Sequence, residues 1–315
     1  MRKKISLVGS GNIGGTLAHL IALKELGDIT LIDIVKGVPQ GKALDLAQSS
    51  SVELFDVNIE GSNNYSSLKN SDVVIITAGI PRLPGMSRDD LLETNTKIIS
   101  TIGKAVKKYC PKAFLICITN PLDAMVSILQ SSSKVKHHMC VGMAGILDSS
   151  RMKYFLSKAL NVSIKSIETF VLGGHGDTMV PMIRYTTISG IPIQELIKNK
   201  TISKKRVNDI LKRTQTGGGE INQLLKKGSA FYAPASSAVQ MAESFLKNKK
   251  MILPCAAYLN GEYGVKGLYV GVPVIIGSKG VEKVIKLQLT AIEKKQFNNS
   301  VKAVRKLTNL ALKLS

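Results

Sequence analysis

Three arginines, Arg82, Arg88 and Arg151, stand out in a chain whose 43 basic residues are mostly lysine. Each lies in or beside a Gly/Pro-rich or polar stretch that reads as a loop or a helix start. A guanidinium is a planar fork of donors that meets a carboxylate through two parallel hydrogen bonds, so forks on loops suit a small, multiply anionic acid. A lone imidazole joins them. His175 sits in Gly173-Gly174-His175-Gly176-Asp177, among glycines rather than the bulky apolar neighbours of a core histidine. Such a ring faces a ligand and can exchange a proton near neutral pH. Oxidising an alcohol requires that exchange: hydride leaves carbon while the hydroxyl proton passes to a base. A carboxylate partner would orient the ring and stabilise its cation, and spacing alone leaves Asp148 and Asp177 both eligible. Asp148 and Arg151 lie three apart in LDSSRM, on one face of a helix. That spacing fits a surface ion pair as well as it fits a base orienter beside a substrate clamp.

A second motif supplies the oxidant's site. Gly9-Ser10-Gly11-Asn12-Ile13-Gly14 is a GxGxxG run between a predicted strand (residues 4–8) and a predicted helix (Thr16 to Leu26). Alone the run would mark only a turn; in this setting it is a dinucleotide fingerprint. Gly9 permits the turn, Gly11 lets backbone approach a pyrophosphate, and Gly14 allows close packing of helix on strand. The helix N-terminus offers free N–H groups to the phosphates. Asp33 ends the next strand, about twenty residues on, where a carboxylate accepts from both ribose hydroxyls and repels a 2′-phosphate. NAD is therefore expected over NADP. Further contacts are expected at the carboxyl edge of a parallel sheet, from Thr77, Ala78 and Gly79 after one strand and Ile118, Thr119 and Asn120 after another. Asn120 could instead cap the helix that follows Pro121.

The elements that must position these groups alternate along the first half. Continuous apolar runs at 29–32, 73–76, 114–118 and 139–141, with helical patterns at 89–109 and 122–130, fit parallel strands buried on both faces. The pattern changes near residue 142. A helix is expected from Asp148 to Leu160, strand-like pieces near 167–172 and 182–188, and helical spans on either side of Gly217-Gly218-Gly219. Antiparallel strands are expected over 251–277. A terminal amphipathic helix should start at a Thr290/Glu293 capping box, with Ile292, Phe297, Val301, Val304 and Leu307 on one side. The predicted fold is α/β: a Rossmann dinucleotide-binding domain with a parallel sheet over 1–142, then an α+β catalytic domain with antiparallel strands over 143–315. The stretch 80–90, with two prolines and a glycine, reads as a loop carrying Arg82 and Arg88 that closes over substrate.

Bulk properties narrow the class. A formal charge of +21 admits nucleic-acid binding, attraction of acidic substrates, or a lysine-rich surface. The lysines are scattered rather than blocked, which favours the last and makes a nucleic-acid partner the remote alternative. The four cysteines have no metal-ligand spacing, so no metal is expected, and buried thiols fit a reducing, cytoplasmic setting. The basic start is followed by too short an apolar run for a signal peptide or membrane span.

Taken together, VGSGNIGG, TAGIPRLPGMSRDDLLETN, ITNPLD, GILDSSRMKYFL, LGGHGDTMVP and TGGGEINQLLKKGSAFYAPA resemble the lactate/malate dehydrogenase family along nearly the whole chain. The likeness is strongest to the lactate dehydrogenase-like malate dehydrogenases of bacteria. The resemblance implies reversible hydride transfer between (S)-malate/oxaloacetate and NAD, with lactate or a broader 2-hydroxy acid as the alternative substrate. It implies His175 as acid/base and Asp148 as its partner. Arg151 would clamp the substrate carboxylate, Arg88 would polarise the carbonyl, and Asn95 and Asn120 would contact cofactor, Asn120 also substrate. It places Arg82 at the position that discriminates substrates, where lactate enzymes typically carry Gln. Leu83 departs from the Lys of many relatives, and the strongly basic charge is also atypical. A homodimer or homotetramer acting on a dicarboxylate is the implied assembly.

Overall fold

The computed structural model describes residues 2–80 and 88–315, and only the backbone of residues 88 and 89. Six parallel strands form its first half: β1 (Lys4–Val8), β2 (Asp28–Ile32), β3 (Ile59–Ser62), β4 (Val73–Ile76), β5 (Phe114–Cys117) and β6 (Cys140–Gly142). Their spatial order is β6-β5-β4-β1-β2-β3. The chain steps outward from β1 to β3, then returns to the other side of β1 with β4, so the order reverses between β1 and β4. Ligands of open α/β sheets bind at such a reversal, beyond the carboxyl ends of the strands.

The strands are apolar on both faces because helices cover both. Ile5, Leu7, Ile29, Leu31, Ile75 and Ile116 face Leu17 and Ile21 of helix α1 (Asn12–Leu23). Val8, Ile32, Val74, Ile76 and Leu115 pack with residues of three later helices that cover the opposite face. Helix α1 begins at Asn12, earlier than the expected Thr16, so Gly14 and Gly15 lie in its first turns. Helix α2 (Val38–Glu53) and β3 were not expected from the sequence. Only Pro39 and Ala43 of α2 are buried, and β3 reads IEGS, so neither carries an apolar period. Helices α3 (Arg88–Tyr109) and α4 (Leu122–Ser133) follow β4 and β5.

The second half opens with α5 (Gly145–Leu160). Its short strands are β7 (Ile167–Glu168), β8 (Val171–Leu172), β9 (Val180–Pro181), β10 (Thr187–Ile188) and β11 (Ile191–Pro192), smaller than the expected pieces. Then come α6 (Ile193–Lys198), α7 (Lys204–Leu225) and α8 (Tyr232–Leu246). Helix α7 runs unbroken through Gly217-Gly218-Gly219, where two helical spans were expected. The antiparallel strands β12 (Met251–Asn260), β13 (Lys266–Gly277) and β14 (Gly280–Val284) extend the first sheet, because β12 pairs with β6 at Ala256 and Gly142. The two halves thus share one nine-stranded sheet. Helix α9 (Ala291–Lys313) begins at the expected capping box, with both reciprocal bonds between Thr290 and Glu293 present. Phe297, Val301 and Val304 are buried, but Ile292, expected beside them, is exposed.

Candidate active site

The turn after β1 is built by glycine for steric reasons. Gly9 has φ +105°, and a Cβ there would strike Thr77 Oγ1 and the Ala78 backbone. A Cβ on Gly14 would overlap the Gly9 carbonyl oxygen, so α1 can start this close to β1 only without a side chain. Gly11 caps α1 without a side-chain cap bond, and its Cα faces space free of neighbouring atoms. The first-turn N–H groups of α1 therefore point at an anion site. The Asp33 carboxylate stands beside this turn, its Oδ2 accepting the Ser10 N–H at 2.7 Å and its Oδ1 accepting the Val35 N–H at 3.0 Å. Ser10 Oγ is buried with no partner among the described residues. Open space above Gly11, an orphaned hydroxyl and an adjacent carboxylate fit the pyrophosphate and ribose of NAD. One neighbour had no signal in the sequence: Lys42, from α2, donates to the Gly11 carbonyl at 2.9 Å.

The loops after β4 and β5 are fastened to this turn. Thr77 Oγ1 donates to the Gly9 carbonyl at 3.0 Å, and Thr119 Oγ1 donates to the Ala78 carbonyl at 2.7 Å. Asn95, on α3, accepts the Ile80 N–H at 2.9 Å and donates to the carbonyls of Ile80 and Asn120 at 3.2 and 2.7 Å. Its side chain is buried and committed to backbone, so it ties Gly79-Ile80 to Asn120. Ile118 continues β5 through its N–H to the Ile76 carbonyl, at 2.9 Å. The Asn120 side chain is exposed at the sheet edge and does not cap α4.

The chemical cluster lies on the other half. Asp148, in the first turn of α5, accepts from His175 Nδ1 at 2.8 Å through Oδ2 and from Arg151 Nη1 at 3.0 Å through Oδ1. Their alternatives in the sequence are thereby separated: the Asp148–Arg151 pair is not a surface pair, with side chains only 2% and 12% exposed. Asp177 is exposed and makes no contact with the ring among the described residues. Burial alone would lower the His175 pKa, but the Asp148 carboxylate outweighs it, Asp123 adds to the rise and Arg151 opposes it; the net shift is upward. The loop is held by its main chain. Gly174 N–H donates to Ser300 Oγ at 2.8 Å, His175 N–H donates to Asp123 Oδ2 at 2.8 Å, and Gly173 pairs with Gly271 of β13.

Arg151 also explains the glycine run. A Cβ on Gly217 would meet Arg151 Cδ at 3.1 Å, and one on Gly218 would meet Nη2 at 3.4 Å. The bare stripe of α7 leaves the guanidinium its place, at the usual helical cost of glycine of about 1 kcal/mol each. Arg151 Nε is buried with no partner among the described residues, an orphaned donor of the kind a carboxylate ligand would satisfy. Arg82 lies outside the described residues, and Arg88 opens α3 with its backbone alone described. Among the described residues no group of His, Cys, Asp and Glu could hold a metal, and no helix is long and apolar enough to cross a membrane.

A reversed parallel sheet, a phosphate-ready glycine turn and a His–Asp pair define an NAD-dependent oxidoreductase. Family models agree: residues 3–142 match the lactate/malate dehydrogenase NAD binding domain, and residues 146–314 match the lactate/malate dehydrogenase alpha/beta C-terminal domain. The chain belongs to the lactate/malate dehydrogenase family. It is similar to Cryptosporidium parvum malate dehydrogenase, with 50% identity, 98% of each chain covered and a TM-score of 0.96. It is equally similar to Eimeria maxima lactate dehydrogenase, solved with NADH and oxamate, with 51% identity, 100% of this chain and 95% of that one covered, and a TM-score of 0.97. Plasmodium falciparum malate dehydrogenase in complex with NADH matches at 39% identity over 99% of each chain, with a TM-score of 0.94.

Proposed function

We propose that this chain is a malate dehydrogenase that interconverts (S)-malate and oxaloacetate, with residues 1–142 holding NAD and 143–315 carrying most of the proton chemistry. The observation that supports the reaction class is the buried Asp148 bridge between His175 and Arg151. Asp148 fixes the proton of His175 on Nδ1, which leaves Nε2 to exchange the substrate proton. In oxidation Nε2 takes the hydroxyl proton; in reduction it returns one to the carbonyl oxygen. Arg151, with Nε unpartnered, takes the carboxylate beside the reacting carbon. Arg88 polarises the carbonyl oxygen, and Asn120 contacts substrate from the cofactor edge. NAD, when bound, accepts or returns the hydride. Gly9, Ser10, Gly11, Asn12, Ile13 and Gly14 would hold it, with Asp33 at the ribose. Thr77, Ala78, Gly79, Ile118 and Thr119 line its path, and Asn95 holds two of those loops together.

Arg82 supports oxaloacetate over pyruvate. If bound substrate desolvates it, a second carboxylate would neutralise its charge, whereas a methyl group would leave the charge unpaired, which costs about 3–5 kcal/mol. That corresponds to a preference on the order of 10²–10³ or more. The second reading, a lactate dehydrogenase, draws on the likeness to the Eimeria maxima enzyme. Steady-state NADH oxidation with oxaloacetate and with pyruvate separates the two, and equal specificity constants would reject the malate assignment. Arg82→Gln is expected to move preference toward pyruvate. The raised His175 pKa gives the pH sign: reduction, which needs the protonated ring, loses kcat/KM as pH rises through that value, while oxidation gains.

A homodimer or homotetramer belongs to the same proposal. Leu44 and Val52 of α2 and Leu54 at its end are exposed apolar residues which a second copy would cover. Sedimentation of the purified chain as a monomer would remove this part alone. The four cysteines are free and buried, as suits a reducing compartment such as the cytoplasm.

A further inference from the structure

Asp123 is a carboxylate for which sequence patterns suggest no role. It occupies the first turn of α4, in the cofactor half, yet it is almost wholly buried and reaches across to the histidine loop. Its Oδ2 accepts the His175 N–H at 2.8 Å, while Oδ1 is buried with no hydrogen-bond partner among the described residues. A Cβ on Gly174 would meet Val304 Cγ2 and lie 3.2 Å from Asp123 Oδ2, so glycine is what lets the loop settle against this carboxylate. An aspartate early in a helix usually serves the helix, through a cap or the dipole. Here one oxygen serves the neighbouring half and the other has no partner in another residue among the described residues, which a helix-capping role leaves unexplained.

We infer that Asp123 is a positioning residue for the imidazole: from the cofactor half it holds the His175 main chain and places a second negative charge beside the ring. This rests on the reading of His175 as the proton carrier. The ring lies between two carboxylates, Asp148 on its Nδ1 side and Asp123 beneath its main chain. The other groups facing Asp123 are Asp148 from α5 and the Cys117 thiol from β5, while α9 presents the uncharged Ser300 and Val304. Burial pushes the Asp123 carboxyl up to about 6, against the pull of the His175 N–H and ring, and the nearby Asp148 charge adds to the rise. The ring's affinity for its proton therefore depends on whether Asp123 is ionised.

Asp123→Asn tests this on the full chain, because the amide can still accept the His175 N–H and removes only the charge. The readouts are the pH profile of kcat/KM for oxaloacetate reduction and the titration of the His175 ring by NMR, assigned with His175→Asn. The expected result is a fall of the ring's midpoint by about half to one pH unit in both readouts, the size of one nearby charge lost. Asp123→Glu should recover part of it. A midpoint unchanged within about 0.2 unit, even with lower thermal stability, would reduce Asp123 to a structural residue and overturn the inference. Should Asp123→Asn fail to fold, the unsubstituted protein decides: the ring resonance should titrate in two steps, the lower near 6, and a single step overturns the inference. If His175→Asn keeps full turnover, the underlying reading of the proton carrier fails instead, and the ring titration still reports on Asp123 separately.

Discussion

The cofactor edge and the chemical cluster lie on the two halves of the chain and are built on opposite plans. At the edge, side chains are spent on backbone. Thr77, Thr119 and Asn95 bind carbonyls and N–H groups of adjacent loops, and glycine appears where a Cβ would collide. The loops are held by many neutral bonds, each contributing about 0.5–1.5 kcal/mol, and by close contact. In the cluster, two ionisable side chains meet at Asp148, and among the described residues charged groups keep unpartnered atoms on Arg151 and Asp123, where the edge leaves only the neutral Ser10 hydroxyl. The edge should therefore respond to volume and the cluster to charge. A shape that must receive a fixed cofactor is best made rigid, whereas a site that moves a proton and grips an anion must keep donors and charge uncommitted.

Substitutions can break this contrast, beginning with the largest effect. His175→Asn removes the proposed proton carrier and should lower kcat by about 10²–10⁴ with little change in NADH affinity, measured by steady-state kinetics and fluorescence titration. A residual rate near that of the unsubstituted protein would place the chemistry elsewhere. Gly217→Val is a volume change aimed at the charged cluster, since the new side chain would press on Arg151. Misplacing the clamp should cost about 10² in kcat/KM for oxaloacetate. A normal KM and kcat would mean that α7 does not fix the guanidinium.

Smaller effects sharpen the contrast. Burial raises the Asp123 carboxyl from 3.8 to about 6, so the folded chain binds that proton more tightly than the unfolded chain does. The stabilisation is complete below about 3.8 and is lost as pH rises through about 6. The stability of the unsubstituted protein relative to Asp123→Asn should thus fall by roughly 2–3 kcal/mol between those limits. Denaturant titrations at both pH values measure it, and a flat difference would contradict it. At the edge, Gly14→Ala forces a methyl against the Gly9 carbonyl and should destabilise the fold by about 1–3 kcal/mol, weakening NADH binding without moving the pH profile. A shifted profile there would show that edge and cluster are not separable.

Much of this was legible in the sequence. The glycine turn, Asp33 at the end of β2 and the continuous apolar strands follow from local rules of sterics and burial, and they specified the parallel sheet. Helix α2 was not legible because its buried residues are too few to give a period, and Gly217-Gly218-Gly219 was misread as a break because glycine lowers helix propensity. The reason for those glycines sits on another helix, at Arg151. Ile292 looked like core by spacing and lies outside it because α9 is only beginning to pack there.

By itself the chain dictated which residue types were present to bind a dinucleotide and carry a proton, since turn geometry and apolar runs are properties of neighbouring residues. Residue spacing left Asp148 and Asp177 both eligible and the family resemblance favoured Asp148, but only the tertiary structure shows the bond and turns an i, i+3 pair into a buried bridge. It also brought Asp123 of one half under His175 of the other. Contacts between residues tens of positions apart depend on how sheet and helices close on each other, and no local period records that.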